Sequence, residues 1–186
     1  MRKPKIFTDD PDALAAARSC GQCTACCTCP TLSVPERKKL NAACAHLRCG
    51  RAKKRRPGCS IYPARPQLCE NYACYWRRGL LGPHERPDRL GVIFDTSAWP
   101  RLAEVMNAAG TPIVLAREVY PGSSKSTAAK AAILVMTESF GVIRVGVPGV
   151  QGGIVVHAMN KKTADKIHEA IEQVGAENPS RQDARS

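Results

Sequence analysis

Apolar residues fall into regular spacing mainly in the second half of the chain. Gly91-Val-Ile-Phe-Asp95 forms a short β-branched and aromatic run, a strand candidate. Leu102, Val105, Met106 and Ala109 recur at helical spacing. They predict a helix from Pro100 that stops at Gly110, with Ser97 a candidate cap. Ile113, Val114, Leu115 and Val119 make Thr111 to Tyr120 a strand, followed by a Pro121-Gly-Ser-Ser loop. Thr127 to Ser139 reads as a helix. The alternating stretches Phe140 to Val147 and Gly153 to Met159 read as strands joined by a glycine-rich hairpin turn. Ile167, Ala170, Ile171 and Val174 share one face of a closing helix, Lys162 to Val174, stopped by Gly175. The tail from Glu177 to Ser186 is polar, and no internal repeat is evident.

The first half is less periodic. Asp10 to Arg18, Pro35 to Leu47 and Pro66 to Arg77 each read as a helix, the first two with a proline at or near the start. Large aliphatic residues are sparse there, so a core is hard to build unaided, and a structural metal is the usual supplement in such domains. The expected fold class is α+β or α/β. A Cys-rich, metal-stabilised N-terminal module of short helices and loops precedes a small α/β module. The boundaries are an N-terminal segment at 1–19, the cysteine module at 20–92, the α/β module at 93–175 and a polar tail at 176–186.

Charge divides the 186-residue chain in the same way. Residues 1–94 carry 18 Lys+Arg against 7 Asp+Glu, and residues 95–186 carry 10 against 9, giving the overall net charge of +12. At 44% hydrophobic the chain can bury a core over part of its length, which excludes wholesale disorder. No apolar run reaches the ~18 residues of a membrane span. Asp9, Asp10 and Asp12 interrupt the N-terminal stretch, so it does not read as a secretory signal. Ten cysteines without such a signal point to a reducing, cytoplasmic setting, where thiols more often bind metal or do redox work than form disulfides.

All ten cysteines lie between Cys20 and Cys74. The first block is Cys20-Gly-Gln-Cys23-Thr-Ala-Cys26-Cys27-Thr-Cys29-Pro30. Each Cys-x-x-Cys step lets two thiolates from one turn reach the same ion. Cys44, Cys49, Cys59, Cys69 and Cys74 follow at spacings of 5, 10, 10 and 5 residues. Adjacent Cys26 and Cys27 are expected to point in different directions and to serve neighbouring centres, or one centre and one structural thiol. Cys20, Cys23, Cys26 and Cys27 are the leading ligand candidates, then Cys59, Cys69 and Cys74, then Cys44. Cys29, Cys49 and His46 stay open, because a free cysteine also packs as a small hydrophobe. All-thiolate sites suit Zn²⁺ or iron, including iron–sulfur clusters. The run departs by one residue from the ferredoxin spacing, and the second block lacks the Cys-x-x-Cys of a zinc ribbon. Eight thiolates around two divalent ions would contribute about −4, which the basic surplus would partly offset.

Two blocks together resemble a known family. Cys20-x2-Cys23-x2-Cys26-Cys27 and Cys59-Ser-Ile-Tyr62-Pro-Ala-Arg65-Pro66-Gln-Leu-Cys69-Glu-Asn-Tyr72-Ala-Cys74-Tyr-Trp76 are similar to the CxxCxxCC proteins, the YkgJ-like zinc- or iron-chelating family of bacteria. Cys44 and His46 fall where one subgroup has a further Cys and His. The resemblance covers roughly residues 20–90 and implies metal chelation in a bacterial cytoplasm, with no reaction attached. The extra Cys29 and the long basic insert before Cys59 depart from the pattern. Flagellin lysine methylases are similar in having a comparable cysteine cluster, which keeps an iron–sulfur enzyme or redox protein open as an alternative.

The neighbours of the cysteines have uses of their own. Pro63 and Pro66 stiffen the approach of Cys59 and Cys69. Arg65 can donate to thiolates or a carboxylate. Tyr62, Tyr72 and Trp76 either shield the site or simply fill core. Arg51-Ala-Lys-Lys-Arg-Arg56 is a basic run that reads as a solvated loop or a phosphate contact, so a metal-stabilised nucleic-acid module is a further alternative. Gly122-Ser-Ser-Lys125-Ser126-Thr127 stands where a phosphate loop would, but lacks its glycine pattern. His84, His157 and His168 read as structural or surface groups. The expected partner is a metal ion, zinc or iron; nothing in the chain calls for a membrane.

Overall fold

A computed structural model of the chain describes Arg18, Cys20, residues 23–28, Cys44, residues 46–48, 58–96, 99–146 and 154–176. The helices expected at 10–18 and 35–47 fall almost wholly outside these residues. So do the Ser97 cap, Cys29, Cys49, the basic run 51–56, most of the 146–153 turn and the tail.

The fold is mixed α and β. Short elements come first: helix α1 (Ala25–Thr28), strands β1 (Leu47–Arg48) and β2 (Gly58–Cys59), a 3-10 turn at Tyr62–Ala64, and helices α2 (Gln67–Asn71) and α3 (Pro87–Leu90). Then come β3 (Val92–Asp95), α4 (Pro100–Ala108), β4 (Ile113–Glu118), a 3-10 turn at Ser123–Lys125, α5 (Thr127–Thr137), β5 (Gly141–Val145), β6 (Val155–His157) and α6 (Lys161–Ala176). β1 and β2 pair antiparallel, with Leu47 opposite Cys59. The other four described strands form one sheet in sequential order, β3-β4-β5-β6. β4 and β5 are parallel across the α5 crossover; the two outer pairings are antiparallel. The periodic reading of the second half is therefore realised element by element, within two residues at each end, although the closing helix runs through Gly175 to Ala176.

Alternation along β4 and β5 sorts the core into two layers. Ile113, Leu115 and Ile143 meet Leu102, Ala103 and Met106 of α4 and Ile167 and Ala170 of α6. Val114, Ala116 and Val142 meet Ala129, Ala132, Ile133 and Met136 of α5. That second layer also holds Ala25, Cys74, Trp76, Leu81 and Leu90, with Cys23, Cys26, Tyr72 and Tyr75 packed at its margin. The cysteine-rich part thus shares an apolar core with the sheet.

The helix expected over Pro66 to Arg77 is shorter than its pattern suggests. It ends at Asn71, and Tyr72 is extended (φ −69°, ψ 124°). Tertiary contacts take the chain away from the helix. The Tyr72 hydroxyl donates to Asp95 Oδ2 at 2.6 Å, and the Tyr75 N–H donates to the Phe94 carbonyl at 3.0 Å. The segment thereby lies along the outer strand β3. Asp95 and Arg117 form a buried ion pair in the same place.

α3 is a single turn with Pro87 at its first position, closed by Gly91 at φ 79°. Only glycine takes that left-handed conformation without strain, and a Cβ there would stand 2.7 Å from the Ser123 Cβ. Gly91 is also the step from α3 directly into β3. Beyond β4, the Gly122 and Ser124 N–H groups donate to the Glu118 carboxylate at 3.1 and 3.2 Å, and the Ser124 hydroxyl donates to it as well. Arg144 donates to the Ser124 hydroxyl at 3.0 Å.

Replacing Gly91 by Ala should destabilise the fold by at least about 2 kcal/mol, combining left-handed strain with overpacking. A urea titration monitored by circular dichroism measures it; an unchanged midpoint would refute this account of α3. A second expectation concerns acid. Burial works to raise the Glu118 carboxyl. The Ser124 hydroxyl, the two N–H groups and Arg144 outweigh it and hold the group below its ordinary 4.5. A depressed carboxyl contributes stability above its unfolded value and loses it as pH falls through the folded one. Glu118→Gln should therefore flatten the decline in urea midpoint below about pH 4.5. An identical decline in the variant would count against the Glu118 network.

Candidate metal centre

The first cysteine block is organised by short-range backbone bonds. The Cys23 N–H donates to the Cys20 carbonyl at 2.8 Å, and the Cys27 N–H to the Thr24 carbonyl at 2.8 Å. These turns gather Cys20, Cys23, Cys26 and Cys27 around α1, whose Ala25 is buried in the core. Cys44 joins them through its N–H, which donates to the Cys27 carbonyl at 2.9 Å. Cys59 follows by main-chain pairing, opposite Leu47 in the β1–β2 ribbon, where the Ser60 N–H also donates to the His46 carbonyl at 2.8 Å. Cys69 lies half-buried on α2, and Cys74 is buried just beyond it.

Electrostatics shows which thiols share a neighbourhood. Charge on Cys27 or Cys74 is felt by Cys20 or from it, and Cys26 feels Cys20, Cys23 and Cys27. Cys20, Cys23, Cys26, Cys27 and Cys74 therefore form one group. Cys26 and Cys27 do not diverge as expected from their adjacency. Their thiols hydrogen-bond to each other, although neighbours on a helical turn are ~100° apart and do not ordinarily face one another. All eight described cysteines are free thiols. Among the described residues, no group of three or more His, Cys, Asp or Glu side chains comes together so that it could hold a metal ion.

Two opposing influences act on these sulfurs. Burial pushes Cys23 up to about 12 and Cys74 up to about 11, and it raises Cys20 as well. Cys26 is raised further, first by its bond to Cys27 and then by burial. Against this, the Cys23 sulfur accepts from the Ala25 and Asp88 N–H groups, and the Cys74 sulfur from the Trp76 and Arg77 N–H groups. Arg77, Arg65 and Arg86 each favour the charged form of Cys20. Hydrogen bonds and guanidinium charges of this kind favour a thiolate, while the low-dielectric surroundings resist it. A bound cation would reverse that resistance. The donor type therefore suits a thiophilic ion, but the described side chains are not placed to hold one together.

The flanking residues divide in use. Trp76 is core, only 7% exposed, with its indole N–H donating to the Gly82 carbonyl at 3.1 Å. The Arg18 guanidinium lies 5.3 Å from the Trp76 ring centre and donates to the Trp76 and Leu81 carbonyls. Arg77 donates to the Tyr72 carbonyl at 2.9 Å and the Arg18 carbonyl at 3.3 Å. Tyr62 is 42% exposed and does not shield the thiols; Arg65 stacks on it, 4.2 Å from the ring centre. Asp88 carries little signal in the sequence. Its only signal was the Arg86-Pro87-Asp88 start of a helical turn. The Gly122–Thr127 loop directs N–H and hydroxyl donors to Glu118 and Gly91, which accounts for its polarity without a nucleotide.

No protein-family model, curated protein or solved structure matches the chain.

Because thiolates and not thiols react with alkylating agents, Cys23 and Cys74 should be modified slowly at pH 7.5 while the protein is folded. Site-resolved mass spectrometry after brief iodoacetamide treatment should show at least about tenfold less labelling of both than in urea. Equal rates in the two states would refute the burial described for these sulfurs.

Proposed function

We propose that this chain is a cytoplasmic metal-binding protein that chelates zinc or iron through clustered cysteine thiolates. The observation that carries the reading is the pair of backbone N–H donors at each of the Cys23 and Cys74 sulfurs, within a set of thiols that each interact with Cys20. A buried neutral thiol gains little from two such donors. A metal-bound thiolate gains much more, because hydrogen bonds to a charged acceptor are roughly twice as strong. The three nearby guanidiniums give the same preference for negative sulfur. The resemblance of the two cysteine blocks to the CxxCxxCC proteins supports the same conclusion.

Cys20, Cys23, Cys26, Cys27 and Cys74 are the principal ligands in this reading. Cys44, Cys59 and Cys69 complete the set on the segments tied to them. No described helix is long and apolar enough to cross a membrane, which accords with a protein that works away from the bilayer.

Protein purified without added metal should contain about one or two zinc or iron ions per chain by elemental analysis. Cys23→Ser and Cys74→Ser should each lower that content, and added Zn²⁺ should raise the wild-type stability by about 2.7 kcal/mol at one hundred times its dissociation constant. Colourless, zinc-loaded protein would settle the ion as zinc; brown protein with broad visible absorption would move the reading to an iron–sulfur centre. Wild-type protein that takes up neither metal would overturn the proposal.

A further inference from the structure

Away from the thiols, strands β5 and β6 bring two basic side chains together. Arg144 lies opposite Val155, and His157 lies opposite Val142. Val142 packs in the α5 layer of the core, so by alternation Arg144 and His157 share that face of the sheet as diagonal cross-strand neighbours. Both residues are half-buried, and the guanidinium charge is felt at the ring.

Arg144 is held from one edge only. Its one side-chain bond among the described residues runs from Nη1 to the Ser124 hydroxyl oxygen at 3.0 Å. Ser124 is only 3% exposed, and its hydroxyl donates in turn to Glu118. The Gly122 and Ser124 N–H groups donate to the same carboxylate. Ser124 thus stands between carboxylate and guanidinium, and Arg144 forms no ion pair among the described residues. The other edge is unmatched. Arg144 Nε is covered by protein and meets no hydrogen-bond partner, and the same holds for His157 Nε2. Buried polar atoms nearly always have a partner, so two unmet nitrogens on one patch call for one.

We propose that Arg144 and His157 form a binding site for a phosphate group, carried either by the free ion or by a phosphomonoester. The Nε and Nη2 donors on one edge of a guanidinium point the same way and fit two oxygens of one tetrahedral anion. Burial, and then the Arg144 charge, hold His157 below its ordinary 6.5, so the ring is neutral at pH 7.5. As an acceptor, a neutral Nε2 takes the O–H of a monoprotonated phosphate; as a donor, it serves one of the oxygens. A bridging water satisfies both nitrogens but leaves the Arg144 charge unmatched, whereas a phosphate does both. The chain's net charge of +12 draws anions toward it. The exposed remainder of the two side chains gives the anion its approach from solvent, and none of the cysteines takes part.

The test uses the full chain at pH 7.5 in a phosphate-free buffer, with ionic strength held by sodium chloride. NMR follows the Arg144 Nε–H and His157 ring signals as inorganic phosphate is added, and a second titration uses phenyl phosphate. Both signals should move together and saturate with one dissociation constant. Tighter binding of inorganic phosphate marks the free ion as the ligand; tighter binding of phenyl phosphate marks a monoester. Arg144→Gln should weaken binding at least about tenfold. Arg144→Lys keeps the charge but loses the fork, and should restore only part of that loss. His157→Phe should weaken binding about threefold or more. Circular dichroism of each variant confirms the fold. Wild-type signals that stay fixed in about 10 mM of either ligand would overturn the proposal and leave the two nitrogens to water. Wild-type affinity in both Arg144 variants would overturn it as well.

Discussion

The Asp95 carboxylate, buried between the Tyr72 hydroxyl and the Arg117 guanidinium, is the point where the two halves of the chain are joined. Asp95 ends β3, Arg117 lies in the fully buried β4, and Tyr72 comes from the segment that carries Cys69 and Cys74. A buried charge is tolerated only with partners, and removing one partner is far more costly than the pair is worth. This triad thus fixes the register of the cysteine-bearing segment against the sheet. The Tyr75-to-Phe94 backbone bond and the burial of Trp76 follow from that register.

With Tyr72 fixed, Cys74 is buried on the sheet layer that also receives Ala25 from α1. Ala25 lies between Cys23 and Cys26 in the chain, and both cysteines pack against the core that buries it, so the apolar core and the thiol group are built from the same short stretches. The core positions the sulfurs, and the sulfurs border the core. A front portion held by metal alone would need no such sharing. Here, burial of Trp76, Leu81 and Leu90 already gives it an apolar anchor.

Charge distribution has the same logic. Arg18, Arg77, Arg65 and Arg86 lie around Trp76 and the thiols, donating to carbonyls, stacking on aromatic rings or gripping Asp88. Guanidiniums suit this environment because they are planar, weakly hydrated and permanently charged. They stabilise negative charge on sulfur without competing as ligands.

The sequence by itself determined the elements of the second half and the local clustering of the first cysteine block. Periodicity there is strong and each element buries one face or two, so Leu102, Met106, Ile133 and Ile167 announce their helices and Ile113 to Leu115 their strand. Spacing alone likewise marked Cys20, Cys23, Cys26 and Cys27 as a group, because a Cys-x-x-Cys turn is a local geometry. What only the tertiary structure decided involves partners far apart in the chain. Helix α2 stops at Asn71 because Tyr72 bonds Asp95, Cys74 joins the first block across about fifty residues, and Asp88 meets Cys23 across sixty-five. Local pattern carries no information on which distant residues a shared core brings into contact. For that reason the clustering of the first cysteine block and the donor role of Arg65 were legible from the sequence, while Asp88, Arg77 and Arg86 beside the thiols were not.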